Sequence, residues 1–575
     1  MTGALEDLRA TWDARWVDAL AAWSKLTRLA PPHWCLTPED EAREGLTGTF
    51  AQIRLDDHVV VLSARQLHQQ QLDGFPLEIM AHEIGHHVFC PGDLADAGRL
   101  LARIRRGLPG KLQHAPMVAN LYEDLLINDR LQRSAGLDLA GVWRALARTG
   151  EGNRLWTLYM SIYEHLWSLP RGELSCTRTD ERTDLDAVLG ARLARVYAKD
   201  WLRGAGRFAA LMLPYLDDAE SAGALGAILD MRATETASIP DGLVAVDDDE
   251  DDAIHPAFDP ELSGVERKPP DAHTRVDRRK ARPRDRDLGE YGELLRALGV
   301  NADVTEVAAR YYRERALPHL VRFPTRRSPT AVEPLPEGLD LWDAGSPLER
   351  IDWVESIVRS PHVIPGVTTV ERVYGDSPGR APRRAPVDLY VGIDCSGSMP
   401  APRVLTSYPA LAGTIVSLSA LRVGARVKVV LSGEPKGRTY AMPDFVRDER
   451  AILDVLTAYL GTGIGFGVHR LADTFDRRTA RDRAVHVLLL SDHDLFRMLP
   501  LEENGETGWD VARRAIVAAR GGGTAVLNMA RVPEDPSIAR LEADGWRVHC
   551  VSSWEQLVDF AREFSRRVYA EEGRT

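Results

Sequence analysis

Cysteine is scarce in this chain. Its 575 residues include five, Cys35, Cys90, Cys176, Cys395 and Cys550, and no two form a Cys-x-x-Cys pair. That excludes a disulfide framework and a cysteine-ligated structural zinc, and it suits a reducing compartment. Long apolar runs are missing too: no uninterrupted segment approaches the roughly 20 residues needed to span a bilayer. The N-terminal MTGALEDLRATWDARW carries acidic residues where a secretion signal needs a basic and then an apolar run. These absences together place the expected location in the cytoplasm, with no membrane partner. Positive charge is in deficit, the net charge being −13, which disfavours general binding to a nucleic-acid backbone. A phosphate-binding Gly-x-x-x-x-Gly-Lys-Ser/Thr loop is also lacking. The stretch GEPKGRT, 433–439, has glycine and basic residues at the wrong spacing, so any ATP hydrolysis belongs to a partner.

What is present is the composition of an ordinary globular protein, 44% hydrophobic and 27% charged, on a chain long enough for two or three domains. Residues 1–239 read as mainly helical with a short β region, AQIRLDDHVVVLS, broken by its paired aspartates. Helical patterns follow in PLEIMAHEIGHHVF, APMVANLYEDLLINDRLQ and NRLWTLYMSIYEHLW. Residues 240–288 hold an acid block, VDDDEDD, and an arginine-dense run, RVDRRKARPRDRDLGE. Neither carries enough apolar surface to offset the entropy of ordering, so the segment is expected to be a solvated linker. A nucleic-acid arm is the alternative for its basic half, and the interleaved Asp277, Asp285 and Asp287 weigh against it. Residues 289–380 turn helical and then proline-rich, with no assignable fold. Residues 381–575 alternate Val- and Leu-rich runs such as VDLYVGID, RVKVVLS and AVHVLLLSD with helical stretches, which predicts an α/β doubly wound parallel sheet.

Two constellations carry chemistry. In AHEIGHHVFCPG, His82 and His86 stand four residues apart, on one face of a helix, and can offer imidazoles to one metal. Glu83 lies beside that pair, placed to act as a base toward a water rather than as a ligand. Zinc in a catalytic site takes three protein ligands and a water, so a third ligand must come from elsewhere. Cys90 is about 12 Å along the helix from His82 at 1.5 Å per residue, too far to share the metal. NLYEDLLINDRL offers Glu123 and Asp124, of which only one can face the site. The apolar arc of that helix favours Asp124, turns Glu123 away alongside Arg130, and makes Asp129 a candidate partner for a histidine N–H. Glu123 stays as the alternative third ligand, with His87 and His114 further out.

In the second constellation, VDLYVGIDCSGSMP runs from a buried strand into Asp394, Ser396 and Ser398. A carboxylate and two hydroxyls at the carboxyl end of a parallel strand suit Mg²⁺, which takes hard oxygen ligands. Thr462 in YLGTGIGFG and Asp492 in VLLLSDHD fall where neighbouring strand ends would complete such a site, with Asp494 as an alternative to Asp492.

The order Asp-x-Ser-x-Ser, then Thr, then Asp resembles the metal-ion-dependent adhesion site of von Willebrand factor A (VWA) domains, over about residues 386–565. Ile464 departs from the acidic residue many relatives carry after the threonine. The resemblance implies a binding module whose Mg²⁺ keeps one position for a partner's carboxylate and which has no chemistry of its own. Joined to the HExxH segment, it resembles the bacterial VWA-domain-containing zinc metallopeptidases that accompany MoxR-type AAA+ ATPases. Relatives carry Asn-x-x-x-Asp-x-x-Ile-Asn after HExxH, matched here by Asn120, Asp124, Ile127 and Asn128, and EPLPEGLDLWDAGSPLERIDW also looks typical of that group. The resemblance implies a zincin-like N-terminal domain with Zn²⁺ on His82, His86 and Asp124, Glu83 as the catalytic base, a protein or peptide substrate and an AAA+ partner. Two rival expectations stand beside it. One is a non-enzymatic adaptor that recruits the ATPase to a client, its N-terminal metal structural or regulatory. The other is a protease latent until the ATPase acts.

Overall fold

The paired aspartates that break AQIRLDDHVVVLS make a turn, and the residues either side of them pair as antiparallel strands. A computed structural model describes residues 2–46, 49–147, 153–176, 179–216, 231–232, 237–263, 284–327, 332–378, 384–433, 439–463 and 465–572. They fall into two units, 1–314 with 403–406, and 315–402 with 407–575. No helix among the described residues is long and apolar enough to cross a membrane.

The first unit holds a mixed four-stranded sheet. Strands β1 (His33–Cys35), β2 (Ala51–Arg54), β3 (Val59–Ser63) and β4 (Met231–Arg232) lie in the order β1-β3-β2-β4. The β2–β3 pair is antiparallel, and β1 and β4 add in parallel at the two edges. Helix α1 (Trp16–Trp23) packs on α2 (Pro76–Val88), with the Trp23 indole donating to the Ala81 carbonyl at 2.7 Å. Proline in the first turn of α2 uses a position where the missing N–H is no loss. Next come α3 (Leu94–Gly107), α4 (Ala115–Arg130), α5 (Arg154–Trp167) and α6 (Trp201–Met212). Asp93 caps α3 and Asn153 caps α5, each accepting a backbone N–H three residues on. The three helices expected around HExxH, NLYED and NRLW are therefore present as α2, α4 and α5.

Residues 237–263 and 284–288 correct the expectation of a solvated linker. Arg103 of α3 pairs with Asp247 at 3.0 Å and with Asp249 at 2.6 Å. Buried Arg286 pairs with buried Glu250 and donates to the carbonyls of Leu243 and Ala245, both at 2.6 Å. Tyr197 and Arg207 converge on Asp259 at 2.6 and 2.7 Å. The acid block is thus held by arginines it meets only in three dimensions, and pairing is what makes its burial tolerable. Residues 264–283, which include the first part of the basic run, lie outside the described residues. So do 434–438 of GEPKGRT, and Ile464.

The second unit contains a hairpin of β5 (Val332–Leu341) and β6 (Val370–Pro378), between which stands the short helix α7 (Trp353–Arg359). Its main sheet has six strands, β7 (Asp388–Asp394), β8 (Val427–Ser432), β9 (Thr439–Ala441), β10 (Val485–Ser491), β11 (Arg520–Leu527) and β12 (Trp546–Cys550). The order is β9-β8-β7-β10-β11-β12. Every pairing is parallel except β8–β9, so the sheet is mixed, not all parallel as expected. Strand β9 is an exposed three-residue edge, TYA, with no apolar signal to betray it. All residues of β7 and β10 are buried, because helices cover both faces. Leu490 meets Gly413 of α8 (Tyr408–Arg422), while its neighbour Leu489, pointing the other way, joins Ala512 and Ala515 of α9 (Gly508–Ala519) in one apolar cluster. Between β7 and β10 the strand order reverses, and sheets of this kind bind ligands at the carboxyl ends of such strands.

Candidate metal centre

Helix α2 brings its histidines to α4 through a glycine. A Cβ on Gly85 would sit 2.6 Å from the Trp23 ring of α1 and 2.7 Å from Ile127 of α4, so only a bare Cα lets the three helices approach this closely. That approach carries Asp124 to the histidine face. His86 is fully buried, and His82, Glu83 and Asp124 are nearly so.

Three donor atoms then form a near-equilateral triangle. The Nε2 atoms of His82 and His86 are 3.3 Å apart, and Asp124 Oδ1 is 3.5 Å from each. Tetrahedral zinc, with bonds of about 2.0–2.1 Å, sets its donors about 3.3–3.4 Å apart. The triangle therefore fits such an ion with almost no adjustment, and the three residues form a group that could hold a metal.

The surrounding hydrogen bonds aim these atoms inward. Tyr159 donates to the Leu121 carbonyl at 2.9 Å, which leaves its oxygen to accept from Tyr163 at 2.9 Å. Tyr163 in turn accepts from Asn128 Nδ2 at 2.9 Å. Asn128 Oδ1 is then turned to His82 Nδ1 at 2.8 Å, and as an acceptor it requires a proton there. The chain starts from a carbonyl that can only accept, so its polarity fixes the His82 tautomer and frees Nε2 for the centre. Burial first, and then the charge of Asp124, hold the Tyr163 hydroxyl well above its ordinary pKa, in keeping with its place as a donor. Asn120 Nδ2 donates to Asp124 Oδ2 at 3.1 Å, which turns Oδ1 toward the imidazoles.

Glu123 departs from expectation. It is buried, with Oε2 3.8 Å from His86 Nδ1, behind the ring rather than turned away beside Arg130. A helical wheel presumes one wet face, whereas 13 of the 16 residues of α4 are buried. Arg130 instead lies over the Trp23 and Phe89 rings. Asp129 is not the histidine partner either: it pairs with Arg133 at 2.9 Å, and Asn128 has the role. His87 faces the Gly92 carbonyl and stacks on His58 at 4.1 Å between centroids, and neither it nor His114 belongs to the triad. Burial, reinforced by the charge of Glu123, pushes the Cys90 thiol well above its ordinary pKa, which keeps it neutral. Glu123 and Asp124 thus set two buried carboxylates beside the imidazoles, and Glu83, on the helix that carries them, is buried as well. Charge taken out of water at that density is offset only by cations or protons.

The second constellation lies at the carboxyl ends of β7 and β10. Asp394 Oδ1 accepts from the Ser396 backbone at 2.8 Å, and the Ser396 and Ser398 hydroxyls are 3.0 Å apart. Thr462 is zipped to the same loop. Its N–H donates to the Cys395 carbonyl at 2.9 Å, and its own carbonyl accepts from Gly397 at 3.1 Å. Gly433 is required here, since a Cβ on it would lie 1.4 Å from Thr462 Oγ1. Asp492 Oδ1 accepts from the Asp494 backbone at 2.8 Å and shapes the loop after β10. Asp494 packs its own Cβ toward Gly465. Ser491, which sequence reasoning missed, donates to Asp394 Oδ2 at 2.6 Å. As the last residue of VLLLS, beside Asp492, it was within reach of the same strand-end argument. Burial, with a further contribution from nearby Asp492, raises the Asp394 pKa.

No protein-family profile, curated protein or solved structure matches the chain.

Proposed function

We propose that the chain is a zinc-dependent peptidase joined to a Mg²⁺-binding VWA-type interaction domain, acting with a MoxR-type AAA+ ATPase. The observation that carries the peptidase reading is the donor triangle, whose edges of 3.3–3.5 Å suit one tetrahedral ion. His82, His86 and Asp124 would hold it, and two imidazoles with a carboxylate are a donor set that catalytic zinc takes. Zinc held there supplies Lewis-acid polarisation of a scissile carbonyl and draws the pKa of a water toward about 7. Glu83, one residue from His82 on the same buried turn, accepts the proton of the attacking water and returns it to the leaving amine. Asn128 and Asn120 keep the imidazole and the carboxylate aimed. Elemental analysis of chelator-free protein should find zinc, absent from a His82→Ala, His86→Ala double variant. Glu83→Gln should keep the zinc and lose peptide hydrolysis. Wild-type protein without zinc would sink the proposal.

Burial favours a second reading. With His86 at 0% exposure and Glu83 at 1%, only the His82 side gives onto solvent, a poor approach for a peptide. A structural or regulatory metal in a non-enzymatic adaptor suits that enclosure, as does a peptidase opened by its ATPase. An adaptor tolerates Glu83→Gln in any assay of client remodelling, and a peptidase does not. The VWA reading is supported by the strand-order reversal beneath Asp394 and by the Ser396–Thr462 bridge. Asp394→Ala should abolish Mg²⁺-dependent recovery of the ATPase, and unchanged recovery would remove the docking claim.

A further inference from the structure

Exposed apolar side chains are concentrated in one stretch. Among the described residues 29 large ones stand exposed, and 11 of them lie between Leu341 and Tyr374. Helix α7 is inverted relative to an ordinary surface helix. Four of its seven residues, Trp353, Val354, Ile357 and Val358, face solvent, with Val354 at 71% and Val358 at 75% exposure. The residue it buries is Ser356, whose hydroxyl donates to the Asp352 carbonyl at 2.6 Å and accepts from the Val370 N–H at 3.0 Å. Holding this helix on its hairpin therefore needs none of its apolar residues. Beside it runs an open groove of about 860 Å³, its apolar wall formed by Ile351, Trp353, Val354 and Val373 and its charged rim by Glu349, Asp352 and Glu371 with Arg350 and Arg372. Apolar surface of this kind, rimmed by polar groups, marks a docking site.

Charge selects the occupant. Between Glu337 and Gly375 seven carboxylates stand against three arginines, and Arg372 is already paired with Asp352. A symmetric contact with a second copy would set these carboxylates against themselves. An anionic membrane surface would repel them as well. We infer that the α7–β6 face docks a partner protein through an amphipathic helix, apolar on the side laid into the groove and bordered by lysine or arginine.

The probe is a labelled amphipathic peptide of leucine and lysine, with a leucine–glutamate peptide of the same pattern as control, titrated against the full chain. The lysine peptide should bind, with a blue shift in tryptophan emission lost in Trp353→Phe, and the glutamate peptide should not. Val354→Asp with Val358→Asp adds acid on exposed positions. Simple charge attraction would strengthen binding in that variant, whereas apolar docking weakens it at least about tenfold. Glu349→Gln with Glu371→Gln should weaken it too. Equal or tighter binding by the aspartate variant overturns the inference. So does self-association, or binding to anionic vesicles, that the aspartate variant abolishes while peptide affinity stays unchanged.

Discussion

Asn128 separates the aiming of a ligand from the ligand itself. It touches none of the three donor atoms' meeting point, yet it receives the His82 Nδ1 proton and is itself oriented by the tyrosine pair. Asn128→Ala should leave the fold intact and weaken metal binding by roughly 10–100-fold, as loss of such a partner does elsewhere. Chelator competition measures this without any assay of activity, and unchanged affinity would show that His82 is held by packing alone. At this scale HExxH was legible because a helix fixes where residues four apart must point. Asp124 was chosen over Glu123 for a reason that held only in part. The wheel places Asp124 toward the site but turns Glu123 away alongside Arg130, because a single sequence does not reveal a helix enclosed on nearly every side. The Asn128–Tyr163–Tyr159 relay joins α4 to α5, and local pattern does not predict which polar groups of two helices will meet.

At the scale of elements, the meeting of α1, α2 and α4 depends on Gly85. Gly85→Val would drive branched methyls into the Trp23 ring and Ile127. Trp23 is pinned by its hydrogen bond to Ala81 and Ile127 is wholly buried, so neither yields easily. Overpacking of this kind costs about 1–3 kcal/mol. The variant should show a lower melting temperature together with lost metal, since spreading α2 from α4 opens the triangle. A variant that melts lower but binds metal normally would assign Gly85 to stability alone. Helices α2, α4 and α5 could be read from proline, caps and apolar period. The acid block could not, because its counter-charges sit 144 residues away for Arg103 and Asp247 and 36 for Arg286 and Glu250. Composition counted the charges and missed the pairing.

For the whole molecule, two units with different candidate ions predict two separable responses. A ligand that binds only the folded state stabilises it by about 4 kcal/mol at 1,000 times its dissociation constant. A zinc chelator should therefore lower the unfolding transition of the first unit and leave that of the second in place. Removal of Mg²⁺ should do the reverse, and calorimetry on wild type and on the His82→Ala, His86→Ala variant checks both. If zinc chelation moves both transitions, or neither, the assignment of one ion to each unit fails. The parallel core of the second sheet was legible because strands buried on both faces lose their alternation. Its edge strand β9 was not, nor were β1 and β4, which are two or three residues long and recruit partners from distant sequence.

Enclosure of the histidine face has a kinetic side. An ion seated there meets water only past His82, so its entry and exit would be slowed by the enclosure and hastened wherever the helices part. Loading would then be easiest while the chain folds, and a mature molecule would respond slowly to a change in the surrounding supply of metal.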